Sequence, residues 1–308
     1  MIRIALCFPG QGSQSVGMAA GLLDLPLSKR LLSAAEACGV DLAAALGGDN
    51  DALRATEIAQ PSLYFVEVVL SSLLPSGVEV LGVAGHSVGE YAALVAAGVL
   101  DPVVGMGLVI QRGRAMATMD NGRMAAVLGL ETSEVEEICR GIATTAAPVV
   151  VANLNAPGQV VISGAAAAVA AAGAACSAHG ARRVLPLNVS GAFHSPLMTA
   201  AADAFGVEID RVHLSDTKIP VVSNVDGQAS TRAEEIRHRL RRQIASPVRW
   251  TDCVARLAGL GADVLVEVGP GSVLTGLAKR IAPGVGALSV GDANAMAGLL
   301  DTVGARSR

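Results

Sequence analysis

Aromatic side chains, paired cysteines and long apolar runs are all scarce in this chain of 308 residues. Hydrophobic residues make up 52% of the chain but aromatic residues only 2%, so alanine, valine and leucine must build most of the core. The apolar runs are too short, or too often interrupted by glycine, proline and charge, to span a bilayer. The run at residues 1–8 is also too brief for a secretory signal, since it stops at Pro9.

Excess positive charge is absent as well. Lys and Arg number 23 against 27 Asp and Glu, and the net charge of −4 argues against a nucleic-acid binder. The five cysteines are scattered without C-x-x-C spacing, which is typical of buried thiols in a reducing compartment. We therefore expect a soluble cytoplasmic protein with neither nucleic acid nor a membrane as partner. The sequence contains no evident internal repeat, metal-ligand cluster or Walker-type phosphate loop.

The most informative stretch is GHSVG at residues 85–89, which has the G-x-S-x-G form of a nucleophile elbow. An apolar, β-branched run at 78–84 precedes it, and a segment rich in alanine and leucine follows, which together predict strand, sharp turn and helix. In such a turn Ser87 would stand exposed, and the backbone N–H of Val88 could face a developing oxyanion. A chance match among 35 glycines is the competing explanation. The strand-to-helix setting favours the nucleophile.

A second glycine-rich loop, PGQGSQ at residues 9–14, follows a short predicted strand at 2–8. As a dinucleotide fingerprint it fails, because Ser15 stands where the third glycine should be and Pro9 precedes the first. Two interpretations remain. The loop could present Gln11 beside a second strand end, as a donor for a site that handles negative charge, or it could be a plain turn with solvated glutamines.

Helical patterns occupy residues 51–74, where Pro61 fits a helix start, and 101–116. The second pattern is apolar except for two arginines. For Arg114 we favour a solvated surface position. For Arg112 the alternatives are the surface or a cleft, where the guanidinium fork would grip a carboxylate at two points.

The pattern changes after Gly122. Residues 123–190 predict the order strand, helix, strand, strand, helix, strand, which is the ferredoxin-like arrangement. We expect this segment to be a small subdomain inserted into a larger one formed by residues 1–122 and 191–308. The active site would then lie in the cleft between them.

A serine nucleophile needs a neutral imidazole within hydrogen-bond reach, and five histidines compete for that role. His86 adjoins Ser87, but neighbouring side chains in a tight turn point apart. His194 lies at a predicted strand-to-helix junction flanked by glycine, serine and proline. This setting fits a general base, but it does not by itself identify His194 as that base. The other three lie in the polar helical or loop settings typical of surface histidines: His179, His213 and His238.

Taken together, these motifs resemble the malonyl-CoA:acyl-carrier-protein transacylases of bacterial fatty-acid synthesis and the related acyltransferase domains of polyketide synthases. The resemblance runs in family order from Ile4 to about Ile281 and implies an α/β fold, with an α/β-hydrolase-like large subdomain and an inserted ferredoxin-like small one. It is carried by six segments: FPGQGSQ at 8–14, GHSVGEY at 85–91, QRG at 111–113, NLNAPGQ at 153–159, GAFHS at 191–195 and EVGPG at 267–271.

The resemblance implies a catalytic pair. Ser87 would be the nucleophile and His194 its general base, and the family completes this pair with a backbone carbonyl, here that of Gln243, where other serine enzymes use a buried aspartate. The backbone amides of Gln11 and Val88 would form the oxyanion hole. The reaction would be ping-pong, through a malonyl-serine ester.

The resemblance also implies how substrates are held. Arg112 would pair with the free carboxylate of the malonyl group, Asn155 would line the cleft, and the ring of Phe193 would leave no room for an α-methyl substituent. Malonyl-CoA and an acyl carrier protein would be the partners, and no metal or redox cofactor would be required. The carrier would dock on a basic patch formed by Arg182, Arg183 and Lys279.

Three alternatives remain open. A polyketide acyltransferase or the malonyl-transferring subunit of a malonate decarboxylase would use identical catalytic residues. A serine esterase or thioesterase would share the elbow but would have no use for a buried cation at Arg112. A carrier-binding module with a dead site is disfavoured by the presence of Ser87, His194 and Arg112 together.

Overall fold

The computed structural model describes residues 2–119, 121–189 and 191–306. Ser190, the expected last residue of the small subdomain, and residues 1, 307 and 308 of the larger segment lie outside the described residues. The strands in this part of the chain are β1 (Ile2–Phe8), β2 (Val78–Gly85), β3 (Arg123–Leu128), β4 (Val149–Ala156), β5 (Gln159–Gly164), β6 (Arg183–Pro186), β7 (Val221–Val222), β8 (Ala229–Ser230), β9 (Val264–Val268) and β10 (Gly286–Val290).

Helices follow most of these strands. Over residues 2–119, 121–189 and 191–306, none of them is long and apolar enough to cross a membrane. They are α1 (Pro26–Ala37), α2 (Leu42–Gly47), α3 (Thr56–Ser71), α4 (Gly89–Ala96), α5 (Pro102–Ala117), α6 (Thr132–Ile142), α7 (Ala166–Ala178), α8 (Thr199–Arg211), α9 (Ala233–Gln243), α10 (Trp250–Gly259), α11 (Val273–Ile281), α12 (Ala293–Ala297) and α13 (Leu299–Arg306), with a 3₁₀ turn at Pro196–Met198.

A six-stranded sheet of order β10-β9-β1-β2-β7-β8 forms the larger layer. Its central strand, β1, pairs in parallel with β2 on one side and β9 on the other. Because successive side chains of a strand point to opposite faces, Ile4 and Phe8 pack into one core while Ala5 and Cys7 pack into another. Helices contribute to the cores on both faces, as expected for a sheet whose strands are parallel except for the edge strand β8. The carboxyl ends of β1, β2 and β7 therefore meet at one edge, where α/β sheets bind ligands.

The scarce aromatic residues are all used in the interior. Alanine, valine and leucine supply most of the core, as predicted, and each aromatic side chain is buried among them. These side chains are Phe8, Tyr64, Phe65, Tyr91, Phe193, Phe205 and Trp250.

A four-stranded antiparallel sheet of order β4-β5-β3-β6 forms the second layer. Its elements follow the chain order β3-α6-β4-β5-α7-β6, which is the strand and helix order expected after Gly122. Residues of α6 and α7 pack with this sheet in a separate core. The smaller sheet is joined to the segment between α9 and α10, where Val248 donates its N–H to Ala152 O and accepts from Leu154 N, at 2.8 and 2.9 Å. This link places β4 beside the carboxyl edge of the larger sheet.

The prediction of a helix start at Pro61 is wrong. Helix α3 begins at Thr56, and Pro61 lies inside it. The cause is tertiary packing: a Cβ on Gly113 of α5 would lie 2.9 Å from Glu57 Cα, so α5 approaches the first turn of α3 closely and holds it helical. Gln60 consequently lies within α3, facing α5.

Candidate active site

The strand, turn and helix predicted around GHSVG are present, with β2 ending at Gly85 and α4 beginning at Gly89. Ser87 adopts φ +54°, a left-handed conformation that costs an L-residue about 1–3 kcal/mol and persists only where its surroundings hold it. A Cβ on Gly85 would lie 1.9 Å from the carbonyl carbon of Gly89, and one on Gly89 would lie 2.3 Å from Phe8 O. Glycine is therefore required on both sides of Ser87.

Ser87 and His194 form a hydrogen-bonded pair, with 2.8 Å between Ser87 Oγ and His194 Nε2. The other ring nitrogen, Nδ1, lies 3.1 Å from Gln243 O and 3.1 Å from Ser246 O. Since both of these neighbours are acceptors, Nδ1 carries the proton and Nε2 is left to accept the Ser87 hydroxyl. The carbonyl of Ser246 was not foreseen from the sequence.

The environment of His194 keeps its imidazole neutral. Burial, followed by the charge of Arg112, lowers the pKa of His194 to about 3. The same burial lowers the pKa of the neighbouring His86. At neutral pH the His194 ring can therefore accept a proton, which is what general base catalysis needs.

Arg112 lies in the cleft and not on the surface, with 1% of its area exposed. Its Nη1 donates to Gln60 Oε1 at 2.7 Å, and its Nη2 donates to Ser87 Oγ and Gln243 Oε1, both at 3.0 Å. These acceptors are all neutral. A buried guanidinium whose hydrogen-bond partners are neutral is suited to an incoming carboxylate. Arg114, two residues on, is exposed and donates to Cys38 O, as expected for a surface position.

One cleft of about 380 Å³ is lined by seven of the eleven predicted site residues. The smaller sheet lines it through Met124 and Val161, and the larger layer lines it through helices and the loops that follow its strands. The site residues predicted from the sequence that line the cleft are Gln11, Ser87, Val88, Arg112, Asn155, Phe193 and His194.

Gln11 and Val88 reach this cleft from adjacent strands. The loop containing Gln11 follows β1, the elbow follows β2, and His86 N donates to Phe8 O at 2.8 Å where the two strands end. The Gln11 side chain is engaged elsewhere, since its Nε2 donates to Thr56 Oγ1. The dinucleotide interpretation of this loop thus has no support from its surroundings.

Asn155 and Phe193 form parts of the cleft wall. Asn155 Oδ1 lies 2.9 Å from His86 Nε2, and the His86 ring packs at 5.5 Å from Trp250. This pair turns His86 away from Ser87, in agreement with its rejection as the base. Phe193 is buried immediately before His194, which itself adopts φ +58°.

The three residues expected to dock a carrier protein lie outside the cleft. Arg182 and Arg183 are exposed at the start of β6. Lys279 is exposed on α11 and borders a separate cavity next to β10. Its neighbour Arg280 connects α11 to the turn between β4 and β5, donating to Gln159 Oε1 and Pro157 O.

Sequence reasoning missed four residues that surround the pair: Gln60, Glu90, Asn224 and Ser246. Asn224 Oδ1 accepts from Ser87 N at 2.7 Å, and Gln243 Nε2 donates to Ser87 O at 2.9 Å and to Glu90 Oε2 at 2.7 Å. The position of Asn224 just after β7 was a usable signal, because parallel strands bring their carboxyl ends together. Within the described part of the chain, no group of three or more His, Cys, Asp or Glu side chains could hold a metal ion.

Comparison with known proteins shows the family. The acyl transferase domain family matches residues 6–291. The malonyl CoA-acyl carrier protein transacylase of Escherichia coli is 42% identical over 311 residues, covering 98% of this chain and 100% of its own.

Solved structures agree as well. The malonyl-CoA:acyl carrier protein transacylase of Xanthomonas oryzae superposes with a TM-score of 0.90 at 42% identity, covering 97% of this chain and 98% of its own. A malonyl-transacylase in complex with a type II polyketide synthase acyl-carrier protein superposes with a TM-score of 0.90 at 38% identity, covering 97% and 99%. The chain belongs to the acyl transferase domain family and, within it, to the malonyl-CoA:acyl carrier protein transacylases.

Proposed function

We propose that this chain moves a malonyl group from coenzyme A to the phosphopantetheine thiol of an acyl carrier protein, through a malonyl-Ser87 ester. Malonyl transfer is the activity for which its relatives are named. The observation that supports the residue assignment is the meeting of an imidazole and a guanidinium at one serine oxygen: Ser87 Oγ lies 2.8 Å from His194 Nε2 and 3.0 Å from Arg112 Nη2. A hydrolase of neutral esters has no use for that buried cation, so the thioesterase alternative is not favoured.

In the first half-reaction, neutral His194 accepts the hydroxyl proton while Ser87 Oγ bonds to the thioester carbonyl carbon. The backbone amides of Gln11 and Val88 stabilise the oxyanion, which develops at the carboxyl ends of β1 and β2. Collapse of the tetrahedral intermediate breaks the carbon–sulfur bond, and His194 returns its proton to the departing coenzyme A sulfur.

The second half-reaction reverses these roles. The phosphopantetheine thiol gives its proton to His194 and attacks the carbonyl carbon of the malonyl-Ser87 ester. The bond to Ser87 Oγ breaks, and His194 restores the serine hydroxyl. The carbonyls of Gln243 and Ser246 keep Nδ1–H in place throughout, so that Nε2 faces the reacting groups.

Arg112 supplies the preference for malonyl over neutral acyl groups. Its Nη2 donates to Ser87 Oγ. We place the free carboxylate of the malonyl group beside this guanidinium, where the charge-assisted contact would replace a neutral one. Phe193 limits the space beside the α-carbon, and Asn155 completes the wall through its contact with His86.

The carrier protein is expected to dock through its acidic surface. A solved relative forms a complex with an acyl-carrier protein. We assign the basic contacts on this chain to exposed side chains that border both sheets: Arg182, Arg183 and Lys279.

The architecture and cofactor requirement complete the proposal. Residues 1–122 and 191–308 form the α/β-hydrolase-like large subdomain and residues 123–190 the ferredoxin-like small one, supported by the two sheets and their separate cores. The reaction uses a coenzyme A thioester as substrate and needs no further cofactor, because each proton and charge has a side chain or amide to hold it.

Intact mass after brief mixing with malonyl-CoA tests the proposal. Wild-type protein is expected to gain one malonyl group, which added acyl carrier protein removes, while Ser87→Ala gains none. An adduct lost to water at the same rate with and without the carrier would indicate a hydrolase. Absence of any adduct on wild-type protein would overturn the assignment of Ser87.

A further inference from the structure

Two buried amide side chains hold the peptide groups on either side of Ser87. Asn224 Oδ1 accepts from Ser87 N at 2.7 Å, and Gln243 Nε2 donates to Ser87 O at 2.9 Å. We call these two contacts the elbow clamp. Since Ser87 has φ +54°, its conformation needs such support from outside the turn.

Both members of the elbow clamp are held by one carboxyl group, that of Glu90. Glu90 Oε2 accepts from Gln243 Nε2 at 2.7 Å and from Asn224 N at 3.3 Å, while Oε1 accepts from Ser223 Oγ at 2.8 Å. Glu90 lies in the first turn of α4 and is 1% exposed. A carboxylate suits this position, because the amino-terminal end of a helix carries partial positive charge.

The same carboxyl group orients the side chain of Gln243 toward Arg112. With Nε2 donating to Glu90 and to Ser87 O, the amide must present Oε1 in the opposite direction, and this oxygen accepts from Arg112 Nη2 at 3.0 Å. The backbone oxygen of Gln243 also faces His194 Nδ1. Gln243 thus contacts the nucleophile, the base and the carboxylate-binding cation, and Glu90 sets its side-chain orientation.

We propose that Glu90 is a positioning residue for acyl transfer: by holding Asn224 and Gln243 it keeps Ser87 in its reactive conformation. Glu90 is not part of the cleft lining and does not contact the reacting atoms. The inference rests on the role of Ser87 proposed above. A positioning role at Ser87 affects attack on any acyl donor, whereas a role confined to balancing the charge of Arg112 would affect only donors that carry a carboxylate.

The variants Glu90→Met and Glu90→Gln separate these roles. Methionine has similar length but offers no acceptor, so the elbow clamp loses its support. Glutamine keeps an acceptor oxygen for Gln243 and Asn224, and its NH₂ can donate to Ser223 Oγ. The matched control is Glu67→Met on α3, which removes a carboxyl group that is also fully buried but has no hydrogen-bond partner among the described residues.

The measurement is the limiting rate of Ser87 acylation by malonyl-CoA and, separately, by acetyl-CoA, followed by rapid-quench intact mass. We expect Glu90→Met to lower both rates by the same factor of at least about tenfold, and Glu90→Gln to stay within about threefold of wild type. Glu67→Met should leave both rates unchanged. Thermal unfolding of each variant confirms that the compared proteins are folded.

Two outcomes would overturn the proposal. One is Glu90→Met acylating at the wild-type rate, and the other is Glu90→Met and Glu90→Gln slowing malonyl transfer equally while leaving acetyl transfer unchanged. If Glu90→Met fails to fold, Ser223→Ala is used, because it frees one carboxyl oxygen of Glu90 without touching Ser87. It should slow both donors about two- to fivefold, and unchanged rates would refute the inference.

Failure of this inference and failure of the proposed function are distinguishable. A wild-type protein that forms the malonyl-Ser87 adduct retains its function whatever the Glu90 variants do.

Discussion

The guanidinium of Arg112 donates a hydrogen bond to the hydroxyl oxygen of Ser87 across 3.0 Å. The residue proposed to bind the substrate carboxylate is therefore in direct contact with the proposed nucleophile. Under the proposed function, a malonyl carboxylate would take this donor and leave Ser87 Oγ with its hydrogen bond to His194. In this proposal, carboxylate binding and the hydrogen bonding of the nucleophile depend on the same nitrogen, Arg112 Nη2.

Arg112→Ala should weaken malonyl transfer about 10- to 150-fold, because a charge-assisted hydrogen bond contributes about 1.5–3 kcal/mol. Transfer of an acetyl group, which has no carboxylate, should fall much less. The comparison is kcat/KM for malonyl-CoA and acetyl-CoA. Arg114→Ala, which removes an exposed arginine from the same helix, serves as the control. Unchanged malonyl transfer with retained preference over acetyl would contradict the carboxylate role.

The acylation rate should remain constant as the pH falls from about 8 to about 5, where an ordinary histidine with a pKa near 6.5 would already be protonated. The reason is that burial and the charge of Arg112 lower the pKa of His194 to about 3, so the base stays neutral over this range. Rapid-quench intact mass across a pH series measures the rate, with circular dichroism as the check on folding. A half-maximal rate near pH 6.5 would show that His194 titrates like a solvated imidazole.

Phe193→Leu should reduce the preference for malonyl-CoA over methylmalonyl-CoA by about 10- to 200-fold, since one methyl group in an apolar pocket changes binding by about 1–3 kcal/mol. Leucine keeps the site apolar while opening space beside the α-carbon. Competition between the two substrates, read as the ratio of the two Ser87 adducts by mass, gives the preference directly. A ratio equal to that of wild type would place the α-carbon away from Phe193.

Gly85→Ala should lower the free energy of unfolding by about 3 kcal/mol, at the upper end of the usual cost of overpacking, since its Cβ would lie 1.9 Å from Gly89 backbone. Gly141→Ala in α6 is the matched control. Its Cβ would meet nothing within 4 Å, so replacement should be neutral or stabilise by about 0.5–1 kcal/mol. Urea unfolding measures the free energy of unfolding of both variants and of the wild-type protein. Equal stabilities would mean that the elbow can widen without cost.

Charge reversal at Arg182 or Lys279 should raise the KM for the acyl carrier protein about two- to fivefold each, because exposed ion pairs contribute at most about 1 kcal/mol. Acylation by malonyl-CoA should not change. Arg3→Glu is the control, since Arg3 is an exposed arginine at the opposite end of β1 from the active site. If the carrier KM is the same in all variants, the carrier docks on another surface.

Local sequence by itself determined the elements that bear the chemistry. The elbow at 85–89 could be predicted from its glycines, because backbone contacts within the turn and with the adjacent strand leave no room for a Cβ at those positions. The local sequence placed His194 at a strand-to-helix junction, and the family resemblance then implied its role as the general base. The short strand at 2–8 and the strand and helix order of residues 123–190 were also predicted from the sequence, because apolar runs and their periodicity indicate the type of element.

The tertiary structure alone decided which polar groups meet around Ser87. Gln60, Glu90, Asn224 and Ser246 belong to four separate segments of the chain, and no local pattern links them. Local sequence also could not decide between burial and exposure for Arg112. It lies two residues from Arg114 on the same helix, yet Arg112 is buried against Ser87 and Arg114 is exposed. The local sequence predicted that α3 starts at Pro61, but the helix begins one turn earlier, where α5 approaches it closely at Gly113. Spacing along a chain carries information about one element, whereas a site built where several elements end depends on how those elements pack.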